Sequence, residues 1–129
     1  MKTVPNILLV DSNSDFVYNV SLTLDAAGYR ILTASDGLQA LAMLESEAVD
    51  LILSDIEMPY LDGYQLYQQV RESPKWTAIP FIFLTAQSLS NNPDCQDCQG
   101  IDGYLTKPIR ASELIAAVRR TFKVRSMQI

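Results

Sequence analysis

Residues 49–63 read VDLILSDIEMPYLDG, and the rest of the chain is organised around this stretch. Leu51, Ile52 and Leu53 form a short apolar run that ends at an acid, Asp55, and a Met-Pro turn follows it. Such a run between turn signals is typical of a parallel strand that is covered on both faces. Asp55 then lies where the strand leaves the core, and its carboxylate costs desolvation free energy unless a cation or hydrogen-bond donors meet it. The remaining sequence is therefore expected to supply those partners.

The 129 residues are enough for one compact domain with its own core. Apolar residues make up 48% and charged residues 19%, and no linker, repeat or low-complexity tract interrupts them. We expect a single domain over residues 1–129, with its core at about residues 5–123. No apolar run approaches the length of a membrane span, and the N-terminus lacks a signal peptide's features. A cytoplasmic protein without a membrane partner is the expectation.

The formal net charge is −5 at pH 7, which argues against a nucleic-acid-binding surface spread over the domain. One basic cluster occurs at residues 119–125, near the end of the last predicted helix. Cations there complement the helix dipole on a solvated face. We therefore expect no direct nucleic-acid partner.

Cys95 and Cys98 are too few for a secreted disulfide framework. Their C-x-x-C spacing matches redox and metal sites, but the chain has no His and no other Cys to complete a metal site. A chance pairing on a polar segment is the favoured interpretation, and a redox role is the alternative.

Strand patterns and helical patterns alternate along the whole chain. Strands are expected at residues 6–10, 29–34, 51–54, 79–84 and 103–106. Helices are expected around residues 14–27, 38–44, 63–72, 87–100 and 114–122. The helix within 87–100 is expected to be short and mobile, because SLSNNPDCQDCQ is polar and contains Pro93.

This alternation implies parallel strands joined by right-handed crossovers, with helices on both faces of an open sheet. The predicted fold class is therefore a doubly wound α/β domain. In such sheets ligands bind beyond the carboxyl ends of the strands, where the strand order reverses.

Four polar side chains follow directly on predicted strands, and a parallel sheet brings them to one edge. They are Asp11, Asp55, Thr85 and Lys107. Two carboxylates brought together repel each other, and Mg²⁺, which commonly takes one or two carboxylates with water and phosphate oxygens, relieves that repulsion. Thr and Lys donate hydrogen bonds to oxyanions. The set predicts a phosphoryl group on, or next to, one of the acids.

The segments LLVD, SDIEMPYLDG, LTA and YLTKP, in this order and spacing, resemble the receiver domain of a bacterial response regulator. The resemblance extends to about Phe122 and implies a flavodoxin-like, five-stranded parallel sheet in the order 2-1-3-4-5. It also implies a module of two-component or phosphorelay signalling. Such a domain takes a phosphoryl group from a sensor histidine kinase or phosphotransfer protein and signals by changing shape. It assists its own phosphorylation and dephosphorylation and is not otherwise an enzyme.

Carried over to this sequence, the resemblance implies that Asp55 is the phosphoacceptor. Asp11 and Asp55, with the backbone carbonyl of Glu57, would hold Mg²⁺. The chain departs from the family at Ser12, since most members carry a second acid there that ligates the metal. Weak Mg²⁺ binding is therefore expected. The departure also leaves open an alternative function, a degenerate receiver that docks to partners without phosphorylation.

The resemblance further implies that Lys107 and Thr85 contact the phosphoryl oxygens. Thr85 and Tyr104 would form the switch, and Lys107-Pro108 would be a cis peptide bond. An unknown output protein would bind the face formed by the 87–100 segment, the fifth strand and the last helix. A second copy of this chain is a further expected partner, in a homodimer that depends on phosphorylation. A hydrolase of the aspartyl-phosphate type needs an acid where Asn13 stands, so that reading fails.

Overall fold

A computed structural model describes residues 4–86 and 101–126, with side chains as far as residue 124. These residues contain five strands and four helices. The strands are β1 Asn6–Val10, β2 Arg30–Ala34, β3 Leu51–Asp55, β4 Phe81–Thr85 and β5 Gly103–Thr106. The helices are α1 Ser14–Ala26, α2 Gly37–Ser46, α3 Gly63–Glu72 and α4 Ala111–Ser126. The helix predicted within 87–100, with Cys95 and Cys98, falls outside the described residues.

All strands pair in parallel, in the order β2-β1-β3-β4-β5. The predicted fold class and strand order are therefore confirmed. The chain moves outward from β1 to β2 and then returns past β1 to β3, so the order reverses between β1 and β3. In open parallel sheets the binding crevice lies beyond the carboxyl ends at such a point. Asp11 directly follows β1 and Asp55 ends β3, so both acids lie beside this crevice.

The core divides into two clusters, one on each face of the sheet, because alternate residues of a strand point to opposite faces. One face carries Leu8, Ile52, Phe81 and Phe83 against apolar residues of α2 and α3. The other carries residues of the same strands, among them Ile7, Leu51, Leu53 and Ile82, against α1 and α4. Helices therefore cover both faces, as predicted. None of the described helices has the length and apolar character needed to cross a membrane.

Local capping chemistry sets the ends of α1. The Asn13 side chain accepts hydrogen bonds from the backbone N–H groups of Asp15 and Phe16 and begins the helix. At the other end the Gly28 N–H donates to Asp25 O and the Tyr29 N–H to Leu24 O, at 3.0 and 3.1 Å. This is a Schellman motif, and Gly28 has the positive φ of 99° that it requires. Since Tyr29 belongs to this cap, β2 begins at Arg30 and not at residue 29.

Two further boundaries differ from the prediction or refine it. β4 begins at Phe81 and not at residue 79, because Pro80 has no N–H to donate to the ladder. Asp62 is the N-cap of α3 in a reciprocal capping box with Gln65. Asp36 caps α2 by accepting from the Gln39 N–H.

Candidate functional site

The site lies at the carboxyl edge of the sheet, where the four polar residues follow or end their strands. Asp11 follows β1, Asp55 ends β3, Thr85 ends β4 and Lys107 follows β5. Asp11 and Thr85 are each only 2% exposed, so this edge is closely packed. The tertiary structure therefore brings these residues to one edge although they are far apart in sequence.

Lys107 joins the two acids. Its Nζ lies 2.6 Å from Oδ2 of Asp11 and 3.7 Å from Oδ2 of Asp55. The ammonium also lies 4.2 Å from the ring centroid of Phe16, a cation–π arrangement. The Lys107 N–H donates to Thr85 O at 2.8 Å, which ties the β5 end of the site to β4. One cation thus faces two carboxylates, and its closer contact is with Asp11.

The second oxygen of each carboxylate is held by the backbone. The Asn13 N–H donates to Oδ1 of Asp11 at 2.8 Å, and the Ile56 N–H donates to Oδ1 of Asp55 at the same distance. Both acids are therefore oriented with Oδ2 toward Lys107. For Asp55, Oδ2 is the oxygen that faces the Lys107 ammonium, and no backbone N–H of the described residues donates to it.

The charge balance of the site is incomplete. Burial raises the pKa of Asp55 above its ordinary value, and the neighbouring Asp11 carboxylate raises it further. Lys107 and the Ile56 hydrogen bond lower this pKa without cancelling the increase, and Glu57 adds a smaller increase. The negative charge of the Asp55 carboxylate is therefore only partly compensated, and a further cation nearby would stabilise it.

The oxygen donors of the site fit Mg²⁺ by their chemistry. Within residues 4–86 and 101–126, no group of three or more His, Cys, Asp or Glu side chains could hold a metal ion. Asp11 and Asp55 nevertheless provide two carboxylates, and Mg²⁺ is commonly bound by one or two carboxylates while it keeps several waters. Ser12 is exposed and offers a hydroxyl in place of a third carboxylate. The chemistry of the donor set therefore fits Mg²⁺, with fewer charges than a site with three acids.

The two residues expected to form the switch lie on neighbouring strands. Thr85 pairs with Thr106, and Tyr104 pairs with Phe83 in the β4–β5 register. Tyr104 is half-buried, and its ring centroid lies 5.6 Å from that of Phe83. Glu57, whose carbonyl was expected to reach a metal, is exposed in the loop after β3.

Three features of the site were not singled out by the sequence analysis. Phe16, a partly buried residue of α1, lies under the Lys107 ammonium. Gly63 is required by a close approach, because a Cβ there would be 2.3 Å from Asp55 O. Gly37 is similarly close to the loop after β3, where a Cβ would be 2.5 Å from Leu61 O. A glycine directly after an N-cap acid was the available signal for Gly63 and Gly37. No sequence signal pointed to the role of Phe16.

This arrangement of two acids, a hydroxyl and a lysine on a parallel sheet matches a known family. The family model described as the response regulator receiver domain matches residues 7–119. The chain belongs to this receiver domain family. The Lys107-Pro108 peptide bond of this receiver domain is cis, as the resemblance implied.

Solved receiver structures have the same fold. The receiver domain is 31% identical to the chemotaxis response regulator CheY4 of Vibrio cholerae, with a TM-score of 0.84, and the match covers 92% of this chain and 98% of that one. It is 32% identical, with a TM-score of 0.83, to the receiver domain of sensor histidine kinase PA1611 from Pseudomonas aeruginosa, covering 92% and 97% of the two chains. That structure has a magnesium ion coordinated in its active site cleft.

Curated relatives place the same domain in longer proteins. The receiver domain is 34% identical over 116 residues to the DNA-binding dual master transcriptional regulator RpaA of Synechocystis sp., covering 90% of this chain and 48% of the relative. It spans about half the length of several curated relatives that it matches. The family is thus shown as a signalling module, homologous to the phosphoaccepting domains of response regulators and histidine kinases.

Proposed function

We propose that Asp55 is the residue that accepts a phosphoryl group, and that the donor is a phosphohistidine of a sensor kinase or phosphotransfer protein. The observation that supports this most is the contact of one ammonium, Lys107, with both Asp11 and Asp55 at the carboxyl edge of the sheet. A structural ion pair needs only one carboxylate for one lysine. Asp55 is the second carboxylate, and its pKa is raised. We therefore assign the reaction to Asp55.

In the proposed reaction a carboxylate oxygen of Asp55 attacks the phosphorus, the new P–O bond forms, and the P–N bond to the donor histidine breaks. Oδ1 is occupied by the Ile56 N–H, so Oδ2 is the attacking oxygen. The Lys107 ammonium, 3.7 Å from Oδ2, stabilises the charge on the transferred phosphoryl oxygens. The Thr85 hydroxyl is the second donor to those oxygens.

Mg²⁺ would be held by Asp11, Asp55 and the backbone carbonyl of Glu57. When bound, it supplies positive charge that offsets the repulsion between the carboxylates and the incoming phosphoryl group. Ser12 in place of an acid makes this binding weaker than in receivers with two adjacent acids.

The signal would leave the site through Thr85 and Tyr104. When the Thr85 hydroxyl moves toward the phosphoryl group, it leaves space beside β5. The half-buried Tyr104 ring then moves inward to fill that space. The output protein would read the face formed by residues 87–100, β5 and α4. We also propose that the phosphorylated protein forms a homodimer and that the protein is cytoplasmic.

Intact-mass measurement tests the assignment. Wild type incubated with acetyl phosphate and Mg²⁺ is expected to gain one phosphoryl group, and Asp55→Asn to gain none, because an amide does not form an acyl phosphate. Asp15→Asn, a change at an exposed acid in the first turn of α1, is the matched control and retains the modification. Modification that persists in Asp55→Asn contradicts the assignment.

A second candidate function is a receiver that docks to partners without phosphorylation, and Ser12 is the observation that favours it. In that case wild type stays unmodified with acetyl phosphate and with every kinase tried. The intact-mass experiment therefore separates the two candidates.

A further inference from the structure

The loop between β3 and α3 contains a backbone feature that the proposed chemistry does not use. Tyr60 has a φ of 69°, the one positive φ at a non-glycine residue in the described part of the chain. The Leu61 N–H donates to Pro59 O at 2.8 Å, which closes a three-residue γ-turn centred on Tyr60. A bulky L residue is strained in this region, whereas Gly and Asn adopt it readily. The turn itself therefore does not explain a tyrosine at this position.

Packing does not explain the tyrosine either. Its side chain is 83% exposed, the highest exposure among the large hydrophobic residues described. Leu38, 54% exposed, belongs to the adjoining segment, where the Gly37 N–H donates to Leu61 O at 3.2 Å. Two large exposed side chains thus lie on neighbouring segments at the carboxyl edge of the sheet. We call Tyr60 and Leu38 the loop patch.

The loop patch lies close to the phosphoacceptor. The Gly63 N–H donates to Ile56 O at 2.8 Å, so the loop begins and ends beside Asp55. Tyr60 precedes Gly63 by three residues, which limits the distance between their Cα atoms to about 11 Å. A protein interface of ordinary size covers roughly 800 Å² on each partner, a disc of about 16 Å radius. An interface of this size that is centred on Asp55 therefore includes Tyr60.

We propose that Tyr60 is a docking residue for the protein phosphodonor and that its ring, together with Leu38 on the neighbouring segment, contacts an apolar surface of that partner. The inference rests on the proposed function of Asp55 and adds a determinant of donor recognition. Tyr is one of the residue types that most often carry binding energy in protein interfaces. The γ-turn keeps this ring off the receiver's own core and presents it to the donor. A small phosphodonor makes no contact with the patch and does not require it.

The test compares a protein donor with a small donor. Tyr60→Asn removes the ring and suits the left-handed backbone, and Tyr60→Phe retains the ring. Val4→Asn is the matched control, because Val4 is 57% exposed but precedes β1, at the opposite end of the sheet. Each variant is phosphorylated with acetyl phosphate and with a panel of purified, autophosphorylated sensor kinases. Initial rates are followed on phosphate-affinity gels over a range of receiver concentrations.

With the kinase that phosphorylates wild type fastest, Tyr60→Asn is expected to lower kcat/KM about tenfold, mostly through KM. Its rate with acetyl phosphate stays within about twofold of wild type, and Tyr60→Phe and Val4→Asn behave as wild type with both donors.

Three results overturn the inference. They are unchanged kinase transfer in Tyr60→Asn, an equal loss with both donors, and a wild type that accepts acetyl phosphate but no kinase-bound phosphoryl group. A wild type that accepts a phosphoryl group from neither donor contradicts the proposed function itself, and is thereby distinguished from these.

Discussion

The Nζ of Lys107 lies 2.6 Å from Oδ2 of Asp11, although 96 residues separate the two in sequence. Asp11 is almost fully buried, so this ion pair compensates a carboxylate that water does not reach. The same ammonium is more distant from Asp55, at 3.7 Å. Lys107 therefore neutralises the inner acid more fully than the acid that we propose to react.

Replacing Lys107 by Met should destabilise the metal-free protein by about 2–3 kcal/mol, because Asp11 would keep a buried charge without its partner. Urea unfolding in the presence of a chelator measures this. The control is Lys75→Met, whose pair with Glu45 is 72% and 59% exposed and should contribute less than about 1 kcal/mol. Equal losses in the two variants would contradict the importance given to the Lys107–Asp11 pair.

The pH dependence of stability should carry the signature of Asp55. Its pKa is raised in the folded protein, so the folded state binds a proton more tightly than the unfolded chain does. The contribution of Asp55 to the free energy of unfolding is therefore present at low pH and is lost as pH rises through its folded pKa. Asp55→Asn lacks this loss. Without Mg²⁺ it should be more stable than wild type at neutral pH, and the difference should shrink as pH falls.

Unfolding curves of wild type and Asp55→Asn, measured from neutral pH down to the ordinary Asp pKa of 3.8, check the prediction. All other titrating groups are common to both proteins. If wild type is instead the more stable protein at neutral pH and loses this advantage as pH falls, the pKa of Asp55 is lowered in the folded state, not raised.

Ser12→Asp should tighten Mg²⁺ binding. An added carboxylate attracts each cation charge by up to about 4 kcal/mol at 4 Å and an effective dielectric near 20, before hydration cancels much of it. We expect the attraction that remains after hydration to raise the affinity for Mg²⁺ about tenfold. The added charge also repels Asp11 and Asp55, so the variant should be less stable without metal and should depend more on Mg²⁺.

Thermal melts of wild type and Ser12→Asp across a magnesium titration measure both effects. Ser12→Asn adds a side chain of the same size without the charge and serves as the control. If wild type already binds Mg²⁺ as tightly as Ser12→Asp, another group, with Glu57 the nearest candidate, has replaced the missing acid.

Phosphorylation should alter amide exchange most in residues 85–106, because Thr85 and Tyr104 link the site to β5. Exchange with and without a stable phosphoryl mimic bound at Asp55 measures this. Changes confined to α1 would contradict the proposed route of the signal.

Tyr60→Asn should stabilise the protein, by about 0.5–1 kcal/mol, because it removes the strain of a bulky residue with positive φ and leaves the core untouched. Denaturant midpoints at constant slope measure the gain. Together with slower transfer from a protein donor, this would identify Tyr60 as a position where binding is favoured over stability. A destabilised variant would mean that the ring makes contacts that support the loop.

The alternation of apolar runs and helical stripes in the sequence was enough to predict the fold class and the edge at which the site lies. A parallel strand buried on both faces needs a continuous apolar run, and the residue after it must leave the core, so Asp11, Asp55, Thr85 and Lys107 were identifiable one strand at a time. Resemblance to a family then added the strand order and the cis bond before Pro108. Two strand starts were predicted too early, because Pro80 and the Schellman cap at Gly28 act over one or two residues, and the predicted bounds of α2 and α4 were too short.

Only the tertiary structure decided which of these residues contact one another and how closely. The preference of Lys107 for Asp11, the Phe16 ring below the ammonium and the backbone contact at Gly63 all depend on strand register and helix packing. The left-handed backbone of Tyr60 likewise follows from the closure of its loop against Ile56 and Gly37, since nothing in the residue itself favours it. Sequence pattern reports local periodicity and strand ends. Distances of a few ångströms between residues far apart in the chain are set by the packing of the whole core.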